Sequence, residues 1–198
     1  YPTQRYVDAF TKARIADRNG ELVQNPLFPE IDPDKGILDV RTPDQVFFAG
    51  IVGVPWQDVA RDPSDLTRGF KSASELRADG TWDVVLGDPA TGKPPADPLM
   101  HESTEVRGGT NPVTGEMLDT TPATPLENSI NGNEWTTGGT DLQYACIFDL
   151  PSAQDCAADS SCECNGPTDS PLCNGQSRVR AKAYPGLRHL EVLKGLGD

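Results

Sequence analysis

Every cysteine of this chain lies in residues 146–173, CIFDLPSAQDCAADSSCECNGPTDSPLC. Thiols this close in sequence have two uses: pairing as disulfides, or holding a soft metal as thiolates. Pro, Ser, Asp, Asn and Gly fill the gaps and leave no apolar periodicity that could bury a face. The stretch therefore needs cross-links, and disulfides supply them by restricting the unfolded chain. Zinc is the competitor, with Cys156, Cys162, Cys164 and Cys173 as four thiolates, but the only close pair is a Cys-x-Cys rather than a Cys-x2-4-Cys knuckle. Neighbours in a Cys-x-Cys rarely bridge each other, so each is expected to pair elsewhere. The preferred pairing is Cys156 with Cys164 and Cys162 with Cys173. Cys146 is left unpaired or joined to a cysteine outside this sequence, since the count of five is odd.

Carboxylates are the other abundant chemical group. Asp155, Asp159, Glu163 and Asp169 in the stapled stretch, and Asp58, Asp62 and Asp65 further upstream, have the oxygen ligands that calcium takes. Carboxylates in turns more commonly cap backbone amides. Two histidines are present: His101 could ligate a metal with Glu102 or Glu105, and His189 follows Arg188 in a helical segment. Gly-x-Ser-x-Gly, His-Glu-x-x-His, phosphate-binding glycine loops and EF-hand loops are all missing from the sequence. General acid–base chemistry would fall to carboxylates.

A net charge of −13 argues against nucleic acid and anionic lipid as partners, since both call for clustered Lys and Arg. No apolar run is long enough to span a bilayer, the longest being residues 46–56. Disulfides persist in oxidising compartments, so a secreted, periplasmic or cell-surface location is expected. The opening YPTQRYVDAF is not a signal peptide. Either the signal has been removed or the chain is part of a longer one.

These groups need elements to position them. Residues 3–14 predict an amphipathic helix with Thr3 as N-cap, followed by a turn at residues 17–20. VFFAGIVGV, residues 46–54, predicts a strand buried on both faces of a mainly parallel sheet. Ser72-Ala-Ser-Glu75 has the capping-box pattern, and residues 81–86 predict a short helix or strand closed by Gly87. Residues 144–150 predict a second strand. Residues 185–194 predict a helix with Leu187, Leu190 and Leu193 on one face and Gly195 as its stop. With 19 glycines and 18 prolines, irregular structure should dominate. The expected fold is α/β, a partial parallel sheet with flanking helices and a large loop-rich, disulfide-stapled insertion. It is read as one domain, with residues 1–56 and 141–198 as core and 57–140 as insertion. Trp82, Met100, Met117, Leu118, Leu126, Ile130 and Trp135 favour order in that insertion.

The ordered motifs YPTQRYVDAF, NPLF, VFFAGIVGVPWQD, LGDP, DPLMHES, GTNPVTGE, INGNEW, DLQYACIFDL and RAKAYPGLRHLEVLKGLGD resemble segments of a family of secreted, lipoprotein-like bacterial proteins with von Willebrand factor A-like architecture. The resemblance implies the second half of an A-type domain, with VFFAGIVGV as a sheet strand. It implies no activity, and the Asp-x-Ser-x-Ser metal motif of A domains does not occur in this sequence.

The expectation is a non-catalytic, exported interaction module that meets a protein or cell-envelope partner. The alternatives are a carboxylate-based or metal-assisted hydrolase and a structural component of a larger surface assembly. Converging carboxylates with shifted titration in a pocket would favour the hydrolase. An exposed apolar patch around Trp56, Trp82 or Trp135 would favour the module. No cofactor is required, and calcium is the one candidate.

Overall fold

The computed structural model describes residues 2–29, 41–118, 128–137, 141–166, 168 and 170–197. In chain order its elements are helix α1 (Gln4–Thr11), strands β1 (Arg14–Ala16) and β2 (Leu22–Gln24), short helices α2 (Trp56–Val59), α3 (Ala73–Ala78) and α4 (Thr81–Val85), strands β3 (Cys146–Asp155), β4 (Cys173–Asn174) and β5 (Ser177–Ala183), and helix α5 (Leu187–Leu196). The chain divides into two compact units, Tyr1–Ile51 with Arg188–Asp198, and Val52–Leu187. Segments 57–140 and 141–187 thus share a unit.

In the first unit, α1 buries Val7. Thr3 precedes it but makes no side-chain capping bond. The 17–20 turn forms as the spacing predicts: Asp17 Oδ1 accepts from the amides of Asn19 and Glu21, and Gly20 takes φ 85°. It joins β1 to β2 in an antiparallel hairpin. Asn25, fully buried, donates to the carbonyls of Ala9 and Lys12 and ties the helix to the end of that hairpin. Helix α5 runs on through Gly195 to Leu196, so Gly195 is not its stop. Its role is steric, because a Cβ there would lie 2.5 Å from Val7 Cγ2.

The 46–54 run departs most from expectation. It forms neither helix nor strand, and Phe47 and Ile51 are 96% and 105% exposed. Phe48 packs on Phe10 at 5.2 Å. Among the described residues its one bridge is a parallel pairing of Gly53 with Pro185 in the second unit, where the backbones come so close that a Cβ on Gly53 would meet the Tyr184 carbonyl oxygen at 1.8 Å. An apolar run codes for burial but not for the neighbour that buries it. Among the described residues both sheets are antiparallel.

The second unit contains a three-stranded sheet in the order β3-β5-β4. The strand expected at 144–150 is present as β3, with an irregularity between Asp149 and Gln154 that Pro151 accommodates. β3 and β5 pair antiparallel across the 156–176 connection, and β4 pairs antiparallel with β5 at its other edge. The capping box forms at α3, with Ser72 Oγ accepting from the Glu75 amide and Glu75 Oε2 from the Ser72 amide. α4 is helical and stops at Gly87, φ 66°. Trp82, Met100, Leu118 and Ile130 are buried while Met117 is exposed; Leu126 lies outside the described residues.

Candidate functional site

The connection between β3 and β5 builds a sulfur-lined core. Its disulfides join Cys156 to Cys162 and Cys164 to Cys173, each with Cα atoms 5.6 Å apart. The same four cysteines pair as predicted in number, but the partners are exchanged. The reason is local: two successive turns, closed by the Asp159 amide on the Cys156 carbonyl and the Cys162 amide on the Asp159 carbonyl, fold Cys162 back on Cys156. Cys164 is then left facing the start of β4. The four cysteines pack with Tyr144, Ile147 and Leu172. Cys146 is unpaired and buried elsewhere, against Leu99, Leu118 and Ile130. Burial pushes its thiol up to about 11, which leaves almost no reactive thiolate at neutral pH.

The acidic residues of the stapled stretch do not converge. Asp155 accepts from the Ala157 amide, and Asp159 accepts from the amide and hydroxyl of Ser161, which hold it below the usual carboxylate range. Glu163 bonds to Lys182, and Asp169 lies outside the described residues. Upstream, Asp62 holds Ser64 and Arg68, Asp65 caps the Thr67 amide, and Asp58 is buried away from both. Among the described residues the one group of three or more potential metal ligands is Cys156, Cys162 and Cys164, whose sulfurs lie within 4.8 Å of one another. His101 bonds through Nε2 to the Pro95 carbonyl, a structural use of the ring. His189 edges a cavity of about 340 Å³ in the first unit, walled by Tyr6, Phe10, Phe48 and Val192.

Three polar clusters carry no local sequence signal. In the first, Asp58 and Asp97 are both fully buried, and Asn111 Nδ2 donates to Asp58 Oδ1 at 3.0 Å and Asp97 Oδ2 at 2.8 Å. The amide is oriented by its own oxygen, which accepts from the Val113 and Thr114 amides. Burial, then the neighbouring Asp97 carboxyl, push Asp58 up to about 8, so at neutral pH it keeps its proton. In the second, Glu134 accepts from Arg107 Nε and Nη2 and from the Arg107 amide, while the guanidinium also donates to the carbonyls of Leu99, His101 and Tyr144. In the third, Lys182 bonds Asp141 and Glu163 and lies 5.1 Å from the ring centroids of Tyr144 and Tyr184. Burial alone would lower this ammonium, but bonds to Glu163, Tyr184 and Asp141 outweigh it and hold it charged well above neutrality.

The first cluster has the proton-sharing carboxyls that carboxylate catalysis uses, yet both are sealed. The tryptophans offer no open patch either: Trp82 is buried and Trp56 and Trp135 are half-buried. The most exposed large apolar side chains among the described residues are instead Phe47 and Ile51. Comparison with family models, with curated proteins and with solved structures returned no match for this chain. No helix among the described residues is long and apolar enough to cross a membrane.

Proposed function

We propose that this chain is a non-catalytic interaction module of an exported protein, secreted, periplasmic or held at the cell surface, and that residues 46–51 dock the strand edge of a protein partner. The observation that carries the reading is the fully exposed Phe47 and Ile51 on a segment whose amides from 47 to 52 find no backbone partner among the described residues. Strand addition uses N–H and C=O groups for affinity and alternate apolar side chains for specificity, and this segment presents N–H groups without a backbone partner among the described residues beside exposed Phe47 and Ile51. Two disulfides support an oxidising location.

Among the described residues, Asp58 and Asp97 are carboxyls that one side-chain amide joins, and both are buried, which does not favour a hydrolase at that cluster. The test is a photo-crosslinking residue at position 47 of the full-length protein in its native envelope or secretion medium. A discrete adduct at 47, absent from the exposed control position 18, is expected. Equal labelling at both positions would overturn the reading.

A further inference from the structure

We propose that Cys156, Cys162, Cys164 and Cys173 form a tetrathiolate zinc site in the reduced chain, occupied before the two disulfides form. The proposal is independent of the docking segment. A tetrahedral zinc with Zn–S bonds of about 2.3 Å places its sulfurs about 3.8 Å apart. Three sulfurs of this cluster already lie within 4.8 Å of one another, and the fourth, Cys173, is bonded to one of them. Zinc knuckle spacing is missing from the sequence, but the paired turns at Asp159 and Cys162 bring the sulfurs together through space instead. When the S–S bonds open, the sulfurs separate to nonbonded distance, close to the spacing zinc requires.

The surroundings fit a site of this kind. The four cysteines are buried with Tyr144, Ile147 and Leu172, which keeps water from the sulfurs. Glu163, the carboxylate between Cys162 and Cys164, is tied to Lys182 through Oε1. Lys182 also places a positive charge over the Tyr144 ring, beside a centre that would carry two negative charges. The need is physical as well: without cross-links, this turn-rich stretch has too little apolar surface to hold its shape, and zinc would supply the missing constraint. The chemistry balances. A dithiol reductant gives two electrons and two protons to each disulfide, yielding four thiols and the reductant's own disulfide. Zinc then displaces four protons. Two equivalents of a disulfide oxidant reverse the sequence: each takes two electrons from a pair of thiolates and two protons from solvent, leaves as a dithiol, and the two new S–S bonds release the ion.

The test is titration of the full chain, reduced under anaerobic conditions, with zinc and with cobalt as its spectroscopic stand-in. One equivalent is expected to bind, with the intense thiolate-to-cobalt bands of a tetrahedral sulfur site. Binding should be unchanged in Cys146→Ser and weakened at least about 100-fold in Cys162→Ser/Cys164→Ser. Because the reduced chain can lose structure, hydrogen exchange provides a second readout: zinc should restore protection to the β3–β5 amides of the reduced protein. Cobalt spectra without thiolate bands, dependence on Cys146, or zinc that binds without restoring β3–β5 protection would overturn the proposal.

Discussion

Residues 97–134 and 156–173 are both turn-rich and without apolar periodicity, yet they are held by different chemistry. The first is held by buried polar side chains: Arg107 and Glu134, 27 residues apart, bond each other and close carbonyls from three further positions, while Asn111 bridges Asp58 and Asp97. The second is held by two covalent bonds around a small apolar cluster. A polar network is as strong as its completeness, because every member left unpaired in the interior costs its full desolvation. A disulfide acts mainly on the unfolded chain and tolerates an imperfect surround. The two segments should therefore fail differently.

The largest effect is expected in the polar segment. Glu134→Ala leaves the Arg107 guanidinium, 4% exposed, buried without its carboxylate, and should cost about 3–5 kcal/mol in denaturant melts. Replacing both partners with apolar residues should cost much less, and equal losses would mean the pair itself carries the stability. In the stapled segment, Cys164→Ser/Cys173→Ser should cost about 2–3 kcal/mol and leave the Arg107–Glu134 network protected from exchange. If the two segments lost protection together, the contrast between them would collapse.

A pH series sharpens the comparison further. Asp58 has an ordinary value of 3.8 and a folded value of about 8, so the folded chain binds more protons than the unfolded chain between those limits. Its contribution is complete below 3.8, is lost as pH rises toward about 8, and levels off above. Thermal midpoints should fall over this window in the wild type and flatten in Asp58→Asn. A slope unchanged by the substitution would place the proton elsewhere. Ser72→Ala removes one exposed cap and should cost about 1 kcal/mol, confined to α3. The smallest effect is expected from Phe47→Asp, which touches an almost fully exposed side chain and should leave the melting temperature unchanged.

The parts of this structure legible in the sequence are those set by neighbours along the chain. The 17–20 turn, the Ser72–Glu75 capping box and the helix at α5 each draw on residues within about one or two turns of each other, although α5 buries Leu190 and Val192 rather than the expected face of three leucines. The sulfur cluster was legible as a set of cysteines but not as a pairing, because turn geometry rather than spacing decides which sulfurs meet. The grouping of Asp58 with Asp97 and Asn111 was not legible, although Asp58 stands among the sequence's calcium candidates. Their types suit any surface turn, and only the fold brings positions 53 and 14 residues apart into contact. The 46–54 run shows the opposite failure, a strong local signal whose partner is not specified locally.

Hydrogen exchange of the isolated chain, read at residues 47–51 against Ile147, tests the central claim most directly. Near-unprotected exchange is expected at 47–51, where no described backbone group bonds these amides, beside strong protection within β3 at Ile147, whose amide donates to the Ile130 carbonyl. Comparable protection at both would show that the segment is already paired within the chain, which would contradict its role as a docking edge.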